Sequence, residues 1–256
     1  MKALLILGVI VLICVAGFHI LANSPEEPRP PVFQEPREAG IEPAPLAVQP
    51  DRTPPAPSEF TAPIPVEEIS DTGYLALVNG DHAVSDEPRF IVSAWPAVPV
   101  STTEVTIHET ALEAVSGLIA AAREVYDGTF YIGSGYRDAA AQSRIYNEAS
   151  DKSLVQPPNH SEHHTGLAAD IFIIGIGQHD MDGTDEARWL ADNAWKYGLI
   201  LRYPGSKRDI TEIANEPWHF RYIGRLHAWY CFQNSLCFEE YIQFLKDGGG
   251  YTAELD

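Results

Sequence analysis

Residues 159–170 read Asn-His-Ser-Glu-His-His-Thr-Gly-Leu-Ala-Ala-Asp, and later in the chain residues 216–219 read Glu-Pro-Trp-His. The first stretch leads through a turn into a predicted apolar strand, 167–174, that contains a single carboxylate, Asp170. A carboxylate in a buried strand is costly unless it is paired, hydrogen-bonded or bound to a metal. A metal held by Asp170 and His163 would supply such a partner, and the second stretch offers a further ligand. We therefore interpret the two stretches as one metal site.

The residue types in these stretches suit a catalytic metal site. Two imidazoles and one carboxylate are ligands that zinc accepts, and three protein ligands leave a fourth position open, as in catalytic sites. Such a site also needs a base for the attacking water, and Glu216, close to His219, can fill that role. His160 and His164 are rival ligands to His163, and their spacing does not choose among them.

The chain of 256 residues has room for one domain and N-terminal appendages. Residues 3–22 contain no Asp, Glu, Lys or Arg and follow Lys2, which predicts a signal-anchor transmembrane helix over residues 1–24. A cleaved signal peptide is the alternative, and the length of the segment favours the anchor. Residues 25–66 hold thirteen of the twenty prolines and are interpreted as a disordered Pro-rich tether. Residues 67–256 are the predicted folded domain, outside the cytoplasm.

The net charge bears on nucleic acid as a partner, and the cysteine content bears on a possible disulfide bond. The formal net charge of −19, without basic clusters, argues against nucleic acid as a partner. Cys231 and Cys237 could pair in an exported domain. On one unbroken helix their Cα atoms would lie about 9 Å apart, beyond disulfide reach. Residues 233–235 could break such a helix, so both the bridged and the free state stay open.

Hydrophobic periodicity predicts a mixture of helices and strands. Helices are expected at 108–126, 139–149, 184–197, 225–232 and 238–246, and strands at 74–78, 89–95, 129–132, 167–174, 199–203 and 218–223. The two types do not alternate strictly, so we predict an α+β domain with a small, mainly antiparallel sheet flanked by helices. Arg137 falls at a strand-to-helix corner, where it either faces a cleft or lies in solvent beside Asp138.

The two opening stretches resemble a known enzyme family. Residues 161–170 match the Ser-x-His-x-x-Gly-x-Ala-x-Asp signature of the VanY-type zinc D-alanyl-D-alanine carboxypeptidases, and residues 216–224 match their Glu-x-x-Trp-His segment. Two further motifs, in the same order as in that family, are residues 134–137 with Gln142, and residues 201–204 with Lys207 and residues 210–211. Four ordered motifs, within Leu75 to Tyr241, argue against chance similarity.

The resemblance implies a fold, a cofactor and a set of roles. The fold is the small α+β domain shared with Hedgehog signalling domains, and zinc is bound by His163, Asp170 and His219. Glu216 is implied as the catalytic acid and base. Arg137 is implied to face the scissile carbonyl, where its charge would stabilise the developing oxyanion. Substrate contacts are implied for Ser161, Gln142 and Trp218.

These observations together predict a membrane-anchored zinc carboxypeptidase that removes the terminal D-alanine from peptidoglycan stem peptides. We expect a single-pass membrane protein with a monomeric, extracytoplasmic catalytic domain. An L,D-carboxypeptidase acting on tetrapeptide stems would use the same metal set and is the alternative. A non-catalytic, zinc-containing cell-wall binding module is a further alternative, disfavoured because a structural site needs neither Glu216 nor Arg137.

Overall fold

The computed structural model describes one folded domain. The described residues are 73–84, 87–150, 152 and 155–248. The predicted anchor helix and the Pro-rich tether lie outside these residues. Among the helices that are described, none is both long and apolar enough to cross a membrane.

Short antiparallel strands form the centre of the domain. The strands of the described residues are β1 (Ile91–Ser93), β2 (Thr106–His108), β3 (Phe130–Ser134), β4 (Ala168–Ile173), β5 (Leu199–Leu201) and β6 (His219–Tyr222). Strands β1 and β2 pair with each other, and the other four form a sheet in the order β3-β4-β6-β5. All neighbours in that sheet are antiparallel. The predicted α+β class with a mainly antiparallel sheet is confirmed.

Helices pack around this sheet. They are α1 (Glu109–Val125), α2 (Ala139–Glu148), α3 (Asp185–Asn193), α4 (Arg208–Thr211), α5 (Arg225–Gln233) and α6 (Phe238–Lys246). The start of α2 is fixed by Asp138, whose carboxylate accepts a hydrogen bond from Ala141 N at 2.6 Å. The side chain of Thr184 caps α3 in the same way, at 3.1 Å from Ala187 N. The predicted helices are confirmed, and α4 is an addition.

The alternation of side chains along β4 decides which residues face the core. Ile171 and Ile173 are buried in the same apolar cluster as Leu118 of α1. Asp170 and Phe172 occupy the intervening positions and therefore point to the other face of the sheet. The single carboxylate of this strand thus lies on the face away from α1.

The predicted strand at residues 74–78 is wrong, although its apolar side chains are largely buried. The carbonyls of Tyr74 and Ala76 accept hydrogen bonds from Arg221 Nη2, at 3.2 and 2.9 Å. A guanidinium, rather than a neighbouring strand, satisfies these backbone groups. The other five predicted strands are present: four have shorter bounds, β3 extends further, to Ser134, and β2 is an addition.

Arg221 belongs to a buried network of charged side chains. Glu162 Oε1 lies 2.8 Å from Arg202 Nε and 2.9 Å from Arg221 Nη1. Arg202 also binds both carboxylate oxygens of Glu239, at 2.8 and 2.6 Å. Burial raises the pKa of Glu162, but the two arginines outweigh this effect and hold that pKa well below its usual range. The network therefore contains two positive and two negative charges.

The two cysteines are free and buried in the structure. The predicted break between them is confirmed, because α5 ends at Gln233 and Ser235 has a positive φ of 52°. Cys237 is the N-cap residue of α6, so the two cysteines belong to different helices.

We expect Arg221→Met to reduce the free energy of unfolding by about 3–5 kcal/mol, because Glu162 would lose one of its buried partners. The carbonyls of Tyr74 and Ala76 would lose their donor as well. Urea unfolding followed by circular dichroism measures the change. Arg188→Met is the matched control, since Arg188 forms an exposed pair with Asp185 and such pairs contribute little. Equal effects of the two substitutions would contradict the importance of the buried network.

Candidate metal centre

His163 lies in a short 3-10 turn, Glu162–Thr165, that leads into β4. Its Nδ1 is 2.6 Å from the carbonyl oxygen of Gly135. Because a carbonyl only accepts, Nδ1 carries the proton and Nε2 keeps its lone pair. That Nε2 lies 3.4 Å from Asp170 Oδ2. The turn therefore directs one metal-binding nitrogen at the carboxylate of β4.

Asp170 and His219 lie side by side on neighbouring strands of the sheet. They are directly opposite in the register of β4 and β6, and Asp170 Oδ1 lies 3.1 Å from His219 Nδ1. Burial raises the pKa of Asp170, but His163 and His219 outweigh it and hold that pKa well below its usual range. Asp170 is therefore ionised and could bind a cation.

These three side chains could hold one metal ion. Their ligand atoms all lie within 4.8 Å of one another. Asp170 Oδ1 is buried, and His219 Nδ1, 3.1 Å away, can satisfy it only while that nitrogen carries a proton. A cation between the three groups would take the place of that proton. The donor set of two imidazoles and one carboxylate fits zinc.

The charges around His219 also favour a cation. Burial lowers the pKa of His219, but Asp170 and Glu162 outweigh it and raise that pKa to about 9. By contrast, burial and the charge of Arg137 lower the pKa of His163 to about 4. The centre therefore attracts positive charge at His219, whether a proton or a metal ion.

Glu216 lies beside the three ligands, in the segment that enters β6. Its Oε2 is 3.6 Å from His219 Nδ1, and its backbone N–H donates to Tyr203 O at 3.0 Å. Burial raises the pKa of Glu216 to about 7, with a further increase from the charge of Asp170. Opposing effects come from His219 and Arg137. A carboxyl group with this pKa exchanges protons near neutral pH.

Arg137 faces the cleft. Its backbone N–H donates to His163 O at 3.2 Å, and its Nε is buried without a hydrogen-bond partner among the described residues. Asp138, the alternative partner from the sequence, instead caps α2. Burial lowers the pKa of Arg137, and the charges of Asp170 and Glu216 oppose this effect.

The predicted substrate contacts line the same cleft. Ser161, Gln142 and Trp218 border it together with the metal-binding groups, Glu216 and Arg137. Gln142 is fixed by a hydrogen bond from its Nε2 to Gln156 O at 2.6 Å, whereas its Oε1 is buried without a partner in the described structure. All eight site residues predicted from the sequence thus meet in one place.

The rival histidines are engaged elsewhere. His160 Nδ1 lies 2.9 Å from Asn79 O, and His164 Nε2 accepts a hydrogen bond from Asn159 N at 2.8 Å. The sequence reasoning missed Glu162 and Arg202, which lie directly behind the site. Both residues fall within the family-like motifs at 161–170 and 201–204, but those motifs did not show that the two side chains pair with each other.

Comparison with known proteins identifies the family. A family model described as VanY, D-alanyl-D-alanine carboxypeptidase, matches residues 104–225. The fold is similar to that of the LD-carboxypeptidase LdcB, with a TM-score of 0.60 and 35% identity over 67% of this chain and 86% of that one. It is also similar to a VanY D,D-pentapeptidase from a VanB-type resistance cassette, solved in complex with Zn(II). That match has a TM-score of 0.57 and 30% identity over 66% of this chain and 98% of that one. The chain belongs to the VanY family.

Curated proteins are also similar to this VanY family member. A D-alanyl-D-alanine carboxypeptidase of Enterococcus faecium is 42% identical over 118 residues, which cover 46% of this chain. The matched segment spans 38% of the length of that relative.

We expect the carboxyl group of Glu216 to titrate near pH 7 after metal is removed with a chelator, because burial disfavours its ionised form. Added zinc should move the midpoint to lower pH, since a nearby positive charge favours the carboxylate. A carbon-13 NMR titration of the carboxyl signals measures both midpoints, and Glu216→Gln identifies the signal. A metal-free midpoint at the usual glutamate value would contradict the effect of burial.

Proposed function

We propose that this VanY family member is a zinc-dependent D-alanyl-D-alanine carboxypeptidase that removes the terminal D-alanine from peptidoglycan stem peptides. The observation that carries the proposal is the convergence of His163, Asp170 and His219 beside Glu216 and Arg137. A purely structural metal site would need neither of the last two. The activity named for the Enterococcus faecium relative supports the same function.

The three metal-binding side chains would hold zinc through His163 Nε2, a carboxylate oxygen of Asp170 and His219 Nδ1. Three protein ligands leave a coordination position open to the reaction. Zinc in such a site polarises a carbonyl group and lowers the pKa of water.

Glu216 is the proton-transfer group of the proposed reaction. Its carboxylate accepts a proton from the attacking water and donates it to the amine of the departing D-alanine. Its Oε2 lies 3.6 Å from His219 Nδ1, and this short distance to a proposed metal ligand supports the role. Burial raises the pKa of Glu216 to about 7 in the metal-free protein, and bound zinc would lower that pKa and so favour the carboxylate that accepts the proton.

Arg137 stabilises the negative charge that develops on the oxygen of the scissile carbonyl. Its buried Nε has no partner among the described residues and is available to the substrate. Ser161, Gln142 and Trp218 position the peptide, and the unpartnered Oε1 of Gln142 accepts from a peptide N–H.

An L,D-carboxypeptidase is the second candidate. The observation that favours it is the similarity to the LD-carboxypeptidase LdcB, at 35% identity, against 30% for the D,D-pentapeptidase structure. Both activities would use the same metal-binding groups, so the substrate must be tested directly.

Incubation of the full-length protein with purified muropeptides should release D-alanine from pentapeptide stems, as measured by mass spectrometry. A chelator should abolish the release and zinc should restore it. Cleavage of tetrapeptide stems alone would establish the L,D activity instead. Cleavage of neither substrate in the presence of zinc would contradict the proposed function.

Glu216→Gln should retain zinc and lose turnover by about 10²–10⁴-fold, because the amide cannot accept the proton. Metal analysis and the muropeptide assay measure the two effects separately. His160→Ala is the control, since His160 contacts Asn79 O away from the metal centre, and it should keep both zinc and activity. Parallel loss of zinc and turnover in Glu216→Gln would indicate a structural metal site.

We also propose that the catalytic domain acts as a monomer outside the cytoplasm, held at the membrane by residues 1–24. The uncharged segment 3–22 after Lys2 supports this location. The full-length protein should sediment with membranes, be cleaved by protease added to spheroplasts, and have the mass of a monomer in light scattering. Recovery in the soluble cytoplasmic fraction would contradict the location.

A further inference from the structure

Glu162 lies behind His219, on the side of the imidazole away from the metal-binding nitrogen. His219 Nδ1 faces Asp170, whereas its Nε2 lies 3.5 Å from Glu162 Oε2. Both Glu162 Oε2 and His219 Nε2 are buried without a hydrogen-bond partner among the described residues. A shift of about 0.5 Å would bring them to a normal hydrogen-bond length. The two unpartnered atoms therefore complement each other.

We propose that Glu162 is a positioning residue of the metal centre, whose carboxylate accepts the Nε2 proton of His219 and thereby directs Nδ1 at the metal. A neutral imidazole carries one proton, so a fixed acceptor at Nε2 leaves the lone pair on Nδ1. Carboxylates in this position orient metal-binding histidines and increase their basicity. The inference rests on the proposed zinc site and adds a residue that controls one of its ligands.

The two oxygens of Glu162 have separate partners. Oε1 is bound by Arg202 at 2.8 Å and by Arg221 at 2.9 Å, which fixes the carboxylate in position. Oε2 is left to face His219. Because Glu162 directly precedes His163, one 3-10 turn provides a metal-binding histidine and also positions a second histidine from behind.

The competing explanation is that Glu162 only stabilises the fold as part of the ion-pair network. A substitution at Glu239 distinguishes this explanation from the positioning role. Glu239 binds Arg202 through both oxygens, as part of the same network, and has no contact with His219 among those that the structure shows. Loss of its charge disturbs the ion pairs without changing the environment of the histidine. Glu239→Gln is therefore a matched control for Glu162→Gln.

Glu162→Gln should reverse the hydrogen bonding at His219. Arg202 and Arg221 are donors only, so they bind the amide oxygen of the new side chain and turn its NH₂ group toward His219 Nε2. A donor at that position favours the imidazole tautomer with the proton on Nδ1, which cannot bind a metal through Nδ1. We expect zinc affinity to fall about 10–100-fold.

The first measurement needs no substitution at Glu162. The full-length protein, labelled with nitrogen-15 in histidine and loaded with zinc, is studied by long-range proton–nitrogen NMR, with His219 assigned by its absence in His219→Gln. The expected result is a proton on Nε2 and the metal on Nδ1. A proton on Nδ1 of His219 would overturn the proposal whether or not any variant folds.

The second measurement is zinc affinity by chelator competition, together with the absorption spectrum of the cobalt-substituted protein. Glu162→Gln should bind zinc more weakly and show an altered cobalt spectrum, whereas Glu239→Gln should resemble the parent in both. Parent-like affinity and spectrum in Glu162→Gln would overturn the positioning role alone. Failure of the parent protein to bind zinc would instead contradict the proposed function on which the inference rests.

Discussion

The register between β4 and β6 determines the geometry of the candidate metal centre. It places Asp170 directly opposite His219, so the backbone hydrogen bonds of the sheet bring a carboxylate and an imidazole together. His163 lies in the turn that enters β4, and its position therefore depends on the same strand. A slip of one residue in this pairing would move Asp170 to the other face of the sheet and separate the ligands.

Electrostatics complements this geometry. Asp170, Glu162 and Glu216 all lie close to His219, and their negative charge raises the pKa of His219 to about 9. Arg202 and Arg221 are paired with Glu162, whereas Arg137 lines the cleft and lowers the pKa of His163. The candidate site thus combines several carboxylates, which favour a metal ion, with an arginine at the cleft.

Much of the fold followed from the sequence because its signals are local. The apolar spacing in α1 and the caps Asp138 and Thr184 predicted helices that the structure contains. Residues 74–78 were predicted wrongly, because an apolar run does not show whether its carbonyls bind a strand or the distant Arg221. Both the apolar spacing of α1 and the apolar run at 74–78 reflect burial of the side chains.

The candidate site was less predictable from local sequence patterns than the helices. Asp170 stood out as a lone carboxylate in an apolar strand, but spacing alone did not choose among three histidines. That choice depends on contacts between distant parts of the chain, such as His160 with Asn79 O. Glu162 was missed for the same reason, because its partners Arg202 and Arg221 are 40 and 59 residues away.

The hydrogen bonds from Arg221 to Tyr74 O and Ala76 O have a mechanical consequence. The chain enters the described domain through this segment, and Arg221 joins it to Glu162 and so to the back of the metal centre. Tension applied to the N-terminal part of the chain would act on Arg221, which lies in β6 and is paired with the buried Glu162. The domain would thus resist pulling forces at the same residue that holds Glu162 beside His219.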